Sequence, residues 1–211
     1  MLKKSWKFLP KPSDDVLFGL KNAINASEAL GTLLGQRGIT NFESARAFFQ
    51  LDLKQLHPPS LMKDMDKAVD RITEAINAEQ NILVYGDYDV DGTTAVSVVF
   101  SFLSAHYGNV SYYLPDRYAE GYGVSFKGID YAEDNDVSLI IALDCGIKAI
   151  DKVAYANEKG IDFIICDHHL PGATLPEAHA ILNPLQSDCK YPFKYLSGCG
   201  IGFKLVQALC K

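Results

Sequence analysis

Four short, continuously apolar runs follow one another from residue 81 onward, and they constrain the fold more than any other feature of the sequence. The runs are residues 82–85, 110–114, 139–143 and 163–166. Between them lie segments of helical character at about 93–106, 125–134 and 147–159. Apolar runs of this length are typical of strands buried on both faces of a parallel sheet. Because strand and helix alternate, we predict a domain of the α/β class, with a doubly wound, mainly parallel sheet flanked by helices.

The first sixty residues have a different character and are predicted to form a short helical lead-in. Thr40 or Asn41 can cap a short helix over the residues that follow, and the segment ends at Pro58-Pro59. A second helix is predicted at about 63–78, where apolar residues recur on one helical face. We therefore divide the chain into residues 1–60, the helical lead-in, and residues 61–211, the α/β domain.

Composition excludes several classes of protein. No apolar run approaches the roughly 20 residues that a membrane-spanning helix needs. The five cysteines are odd in number and form no Cys-x-x-Cys pair, so we expect neither a disulfide framework nor a structural zinc site, and we expect a cytoplasmic protein. The formal net charge of −6 excludes a generic basic protein that coats DNA. It does not exclude a metal-dependent nuclease, because bound cations would offset part of the acidic excess.

Acidic residues directly follow three of the four predicted strands. They are Asp87, Asp89 and Asp91 after the first, Asp144 after the third, and Asp167 with His168 and His169 after the fourth. In open α/β sheets, ligands bind beyond the carboxyl ends of the strands, so these side chains are expected to converge. Clustered carboxylates repel one another unless a cation neutralises them, and oxygen and imidazole ligands favour Mn²⁺ or Mg²⁺. Two such ions about 4 Å apart can promote hydrolysis of a phosphodiester.

Each motif also has a simpler interpretation. The first could be a solvated turn or a calcium loop, although the glutamate that ends an EF-hand loop is absent. Asp144 alone could cap a helix that begins near Ile147. If the first motif is extended, its three aspartates face the crevice while Tyr88 and Val90 pack beneath them. The combination of all three motifs at strand ends of one sheet favours the metal site.

The order of these motifs resembles that of the DHH phosphoesterase superfamily, and within it the RecJ-type single-strand DNA exonucleases. The motifs are Asp-Tyr-Asp-Val-Asp-Gly at 87–92, Asp-Cys-Gly at 144–146 and Asp-His-His at 167–169. Tyr85 stands where the branches that act on small substrates usually carry a histidine. The segments 115–123 and 197–205 are also similar to RecJ segments. The likeness covers nearly the whole chain.

The resemblance implies a role for each motif residue. The ligands of two divalent cations, Mn²⁺ or Mg²⁺, would be Asp87, Asp89, Asp91, Asp144 and His168. In this assignment Asp89 and Asp91 bind separate metals and Asp144 bridges them, whereas Asp87 is a ligand or a supporting acid. Asp167 would orient the neighbourhood, and His169 would lie nearer the phosphate.

The resemblance also suggests substrate contacts, and each has an alternative. Arg117 would bind phosphate oxygens, because a guanidinium forms a fork of donors, or it would form an ion pair with Glu120. Gly198, Gly200 and Gly202 would form a backbone nest for phosphate or would permit close packing. Tyr118 and Tyr122 would stack on bases or serve in packing.

The function implied by the resemblance is metal-dependent phosphodiester hydrolysis, in the N-terminal part of a 5′→3′ single-stranded-DNA exonuclease of DNA repair and recombination. Helicases and single-strand-binding proteins are the partners that it implies. RecJ relatives carry a further ligand aspartate and further domains beyond the position of Lys211, so we expect a fragment with weak or no activity of its own. The alternatives are a DHH hydrolase of short oligonucleotides or small nucleotides, and a non-catalytic binding module.

Overall fold

A computed structural model of the chain describes residues 5–210. They form two compact units, which divide between Leu56 and His57. The first unit includes α1 (Asp14–Ile24), α2 (Glu28–Gly35), α3 (Phe42–Phe49) and a 3₁₀ segment (Leu53–Gln55). The predicted cap of α3 is confirmed, because the Asn41 side chain accepts a hydrogen bond from the Ser44 amide and the Asn41 amide donates to the Ser44 hydroxyl.

The second unit is the α/β domain. Its elements are a 3₁₀ segment (Pro59–Leu61), α4 (Met65–Asn77), β1 (Asn81–Gly86), α5 (Val90–Ser104), β2 (Val110–Tyr113), α6 (Phe126–Asp134), β3 (Val137–Leu143), α7 (Ile150–Glu158), β4 (Asp162–Cys166), β5 (Ala180–Leu182) and α8 (Gly198–Leu209). The strands pair in parallel in the order β2-β1-β3-β4-β5. The predicted parallel sheet flanked by helices is confirmed. Strand β5 is not among the predicted strands, because its three residues are too short to show a periodic pattern.

Both faces of the sheet are covered. Ile82 and Val84 of β1 pack on one face in a core shared with α4, α5 and α8, whereas Leu83 and Tyr85 pack on the other with α6 and α7. Side chains alternate between the two faces along a strand, so continuous apolar runs are needed to fill both cores. Within residues 5–210, no helix combines the length and the hydropathy of a membrane-spanning segment.

Two helices begin three residues from their predicted starts, and both differences affect the acidic motifs. Helix α5 begins at Val90 instead of after Gly92, because the Asp89 side chain accepts a hydrogen bond from the Gly92 amide and caps the helix. Helix α7 begins at Ile150, with Ala149 before it. The alternative that Asp144 caps a helix near Ile147 is therefore wrong.

The strand order identifies where a ligand can enter. With the order β2-β1-β3-β4-β5, chain connections leave β1 and β3 toward opposite faces of the sheet. A crevice forms between the carboxyl ends of two such strands, and ligands of doubly wound domains bind there. β1 ends at Gly86 and β3 at Leu143, so Asp87 and Asp144 stand at this crevice.

Candidate metal centre

The acidic motifs meet at the carboxyl ends of the strands, as predicted. Nε2 of His168 lies 3.1 Å from Oδ1 of Asp144 and 3.7 Å from Oδ2 of Asp91. Candidate ligand atoms of Asp144, His168 and His169 all lie within 4.8 Å of one another. Side chains that follow β1, β3 and β4 therefore form one cluster, which has the donor types that hard divalent cations bind.

Two buried carboxylate oxygens of this cluster have no hydrogen-bond partner in the described part of the chain. Oδ1 of Asp87 accepts a hydrogen bond of 3.2 Å from the Gly123 amide, but Oδ2 accepts none. Oδ1 of Asp144 also accepts none, since its contact with His168 lacks hydrogen-bond geometry. A buried charge without a partner is costly, and a bound cation would satisfy both oxygens. The residues present therefore fit a divalent cation.

Asp144 is the most constrained of the acids. Its φ of 61° lies in the left-handed region, which few residues other than glycine adopt, and its amide donates to the Cys166 carbonyl at 2.8 Å. Burial, together with the charges of Asp91 and Asp89, raises the pKa of Asp144 to about 7. Unusual backbone geometry and a raised pKa at one carboxyl are typical of functional sites.

The first motif does not have the extended geometry expected of it. Its residues turn into α5, so successive side chains follow a helix and not a strand. Asp87 is buried, Asp89 caps α5, and both oxygens of Asp91 accept hydrogen bonds from the amides of Gly198 and Cys199 at 2.7 Å.

The prediction that Tyr88 and Val90 pack beneath the aspartates is wrong for the same reason. Val90 is 79% exposed. The Tyr88 ring is half-buried and packs edge-to-face with Tyr122, with centroids 6.2 Å apart.

Asp167 and His169 form a hydrogen-bonded chain that ends at Tyr122. Oδ1 of the buried Asp167 lies 2.7 Å from Nδ1 of His169, and Oδ2 accepts from the Ile147 amide at 3.0 Å. Nε2 of His169 lies 3.1 Å from the Tyr122 hydroxyl. Asp167 is therefore placed to orient the imidazole, and its orienting role stays a prediction.

Asn183 supports the same histidine, and sequence reasoning missed it. Its fully buried side chain donates to the His169 carbonyl at 2.9 Å. The residue follows β5 directly, so recognition of this strand would have indicated that Asn183 stands at the crevice.

Arg117 makes no ion pair with Glu120, and the alternative proposed for it is therefore excluded within the described residues. Glu120 points inward and accepts hydrogen bonds from Tyr113, Ser125 and the Asp116 amide. The exposed Arg117 guanidinium lies 5.4 Å from the centroid of the Tyr88 ring. Arg117 thus sits beside the first acidic motif with its donors accessible.

The glycines at the start of α8 pack closely. A Cβ on Gly198 would lie 2.5 Å from Oδ1 of Asp144, and one on Gly202 would lie 3.2 Å from the Val99 side chain. The Gly198 amide is bonded to Asp91, and the Gly200 amide to the Ser197 hydroxyl. These contacts support the packing alternative, and contact of the glycines with phosphate stays a prediction.

A family model described as "DHH family, N-terminal domain" matches residues 81–211. The chain belongs to the DHH family. This DHH chain is 40% identical over 207 residues to the single-stranded-DNA-specific exonuclease RecJ of Bacillus subtilis. The aligned residues are 98% of this chain and 26% of that protein. The RecJ of Escherichia coli is 36% identical over 181 residues, which are 85% of this chain and 31% of that protein. The chain spans about a quarter to a third of the length of these relatives.

Solved structures of RecJ proteins resemble the DHH chain as well. A crystal structure described as exonuclease RecJ bound to manganese has a TM-score of 0.62 and 33% identity, covering 70% of this chain and 37% of that one. RecJ of Thermus thermophilus in complex with Mn²⁺ has a TM-score of 0.72 over 94% of this chain and 27% of that one; at 24% identity it supports the fold alone.

A cleft of about 270 Å³ opens beside His169 in the DHH domain. Its lining residues include Tyr122, Val124, Cys145, Ile147, Lys148 and Lys152. Apolar walls and two lysines adjoin the carboxylate cluster. A ligand with an apolar part and an anionic group matches this lining.

Proposed function

We propose that this chain is the metal-binding part of an exonuclease that hydrolyses the phosphodiester bonds of single-stranded DNA from the 5′ end. The observation that carries the proposal is the pair of unpartnered, buried carboxylate oxygens, Oδ2 of Asp87 and Oδ1 of Asp144, beside His168. The names and identities of the RecJ relatives support the reaction and the substrate. The 5′→3′ polarity rests on the resemblance alone.

We assign the metal ligands to five side chains, Asp87, Asp89, Asp91, Asp144 and His168, and the metals to Mn²⁺ or Mg²⁺. When bound, two such cations would acidify a water molecule and neutralise charge on the scissile phosphate. Asp91 can remain bonded to Gly198 and Cys199 while it binds a cation, because each carboxylate oxygen has two acceptor sites. The α8 amides would then hold the ligand in place before the metal arrives.

His169 is the side chain best placed to act on the phosphate from the protein side. With Nδ1 directed at Asp167, its Nε2 faces Tyr122 and the cleft. We propose that Nε2 holds a proton toward a phosphate oxygen, and that Asp167 stabilises the charged imidazole. Asp167 acts through His169, so it is a positioning residue.

Arg117 and the neighbouring aromatic rings are proposed to bind the DNA strand. The guanidinium offers a fork of donors that matches two phosphate oxygens. Tyr88 and Tyr122 present aromatic surface beside it, and base stacking on such rings tolerates any sequence. This arrangement fits a nuclease that recognises single strands without base-specific hydrogen bonds.

The test compares substrates and one charge-neutralising variant in the full-length protein. We expect hydrolysis of long 5′-phosphorylated single strands in Mn²⁺ to exceed hydrolysis of dinucleotides. Asp89→Asn should abolish it, because asparagine still caps α5 but lacks the ligand charge. Asp136→Asn, an exposed change that precedes β3 at the end of the strand opposite Asp144, is the control.

Two results would contradict the proposal. A preference for dinucleotides would favour a hydrolase of small nucleotides, and unchanged metal binding and hydrolysis in Asp89→Asn would favour a non-catalytic module.

We also propose a cellular compartment and protein partners for this chain. The five cysteines are free thiols, which supports a reducing compartment such as the cytoplasm. Helicase and single-strand-binding-protein partners stay predictions that rest on the resemblance.

A further inference from the structure

We infer that Glu120 is a positioning residue, which holds the segment 114–125 so that Arg117 and Tyr122 stand at the metal centre. The inference rests on the proposed function, because that function gives Arg117 and Tyr122 their roles. In the structure, the Glu120 carboxylate bonds to its own segment and to β2, and not to the acidic motifs.

The Glu120 carboxylate accepts hydrogen bonds from both ends of this segment and from the last residue of β2. The Tyr113 hydroxyl donates at 2.9 Å from the end of β2. The Asp116 amide donates at 2.9 Å from the start of the segment. The Ser125 hydroxyl donates at 2.6 Å from the cap of α6. One side chain thus links the beginning and the end of a stretch that has no helix or strand between β2 and α6.

The C-terminal end of this segment also contacts residues of the proposed metal centre. The buried Tyr85 hydroxyl accepts from the Ser125 amide at 3.2 Å and donates to the Gly123 carbonyl at 3.1 Å. The Gly123 amide in turn donates to Asp87, and the Tyr122 hydroxyl meets His169. A shift of the segment would therefore move one contact of a proposed metal ligand and one contact of the proposed catalytic histidine.

A carboxylate can accept from all three donors at once. Two of them are hydroxyls, which can reverse their role, but the Asp116 amide can only donate. Glutamine offers one acceptor oxygen and one NH₂ group, so it satisfies part of the set. Alanine satisfies none of it. We therefore expect a graded response, with Glu120→Gln milder than Glu120→Ala.

The first measurement is amide hydrogen exchange on the metal-free chain, which does not depend on nuclease activity. In Glu120→Ala, exchange in residues 116–125 should accelerate at least about tenfold, because hydrogen bonds to a charged group are lost. Exchange in α4 and α5 should not change. Glu133→Ala on α6, which removes an ion pair with Lys159 at the end of α7, is the matched control. Unchanged exchange in the segment would overturn the inference, and so would a uniform increase over the whole domain, since that indicates a merely structural role.

The second measurement is the kinetics of the full-length protein on 5′-phosphorylated single strands. Glu120→Ala should raise KM and lower kcat, each by about tenfold, and Glu120→Gln should recover part of both. Equal kinetics in Glu120→Ala and the wild type would contradict the inference. If the wild type does not cleave DNA, the proposed function fails, and the exchange result still decides whether Glu120 orders the segment.

Discussion

The backbone amide of Gly198 donates a hydrogen bond of 2.7 Å to Oδ2 of Asp91, although 107 positions separate the two residues in the chain. The Cys199 amide donates to the other oxygen at the same distance. A helix N-terminus carries partial positive charge, so α8 offsets the charge of Asp91 in the crowded acidic cluster. Helix α8 thus supports one ligand of the proposed metal centre.

Gly198→Ala tests this packing. The added Cβ would lie 2.5 Å from Oδ1 of Asp144, so α8 must shift away from the acids. We expect a loss of about 1–3 kcal/mol in the free energy of unfolding, measured by urea denaturation, and weaker Mn²⁺ binding by calorimetry. Gly108→Ala is the control, because nothing lies within 4 Å of its added Cβ. Equal stability and Mn²⁺ affinity in Gly198→Ala and the wild type would refute the close approach.

Asp144→Asn tests the charge repulsion among the clustered carboxylates. Asparagine tolerates the left-handed backbone but removes a charge that burial and neighbouring aspartates disfavour. Without divalent cations at pH 8, the Tm should rise by about 2–4 °C, the shift expected for about 1 kcal/mol. Added Mn²⁺ should raise the Tm of the wild type but not of this variant. Asp136→Asn, also at a position with positive φ, is the control and should behave as the wild type does. If Mn²⁺ raises the Tm of Asp144→Asn as much as that of the wild type, Asp144 is excluded as a ligand.

Tyr122→Phe tests the contact with His169. The variant keeps the ring but loses the hydroxyl that lies 3.1 Å from Nε2. We expect kcat of the full-length protein to fall about tenfold with little change in KM, because the imidazole is less well oriented. Tyr195→Phe, at a tyrosine that is 85% exposed, should have no effect. An unchanged kcat in Tyr122→Phe would remove the hydroxyl from the mechanism.

Arg117→Ala tests the proposed phosphate contact. The affinity for single-stranded DNA should fall. The plot of log association constant against log salt concentration should become shallower by about 0.7, the value for one phosphate on a single strand. Arg117→Lys should restore the slope but only part of the affinity, since lysine lacks the fork. Arg37→Ala, at a residue whose guanidinium bonds to the Leu33 carbonyl, is the control. If the salt dependence of binding is unaltered in Arg117→Ala, Arg117 does not contact a phosphate of the DNA.

Glu120 should also make stability depend on pH. Partial burial alone would raise the pKa of Glu120, but hydrogen bonds from Ser125, Asp116 and Tyr113, with the charge of Lys127, bring it below its ordinary value of 4.5. A lowered pKa in the folded state gives stability that is present above 4.5 and is lost as the pH falls through the folded value. The difference in unfolding free energy between the wild type and Glu120→Gln should therefore shrink from pH 7 to pH 3.5. A Glu120→Gln difference that stays constant from pH 7 to pH 3.5 would contradict the assignment.

Some of the site could be predicted because its signals are local. Apolar runs ended at Tyr85, Leu143 and Cys166, and acids followed each of them, so a parallel sheet had to bring those acids to one edge. The strand β5 was too short to show a pattern, and with it Asn183 was missed. The helical turn at Val90 was also missed, because a cap by Asp89 competes locally with an extended loop.

The sequence by itself determined the α/β class, the convergence of the acidic motifs and the resemblance to the DHH family, because residue type, periodicity and motif order express them within short windows. Only the tertiary structure decided that α8 holds Asp91, that Glu120 turns away from Arg117, and that Asp167, His169 and Tyr122 form one chain. These contacts depend on side-chain direction, and several join residues far apart in sequence. Their existence follows from how the helices pack on the sheet, which no local pattern of residues contains.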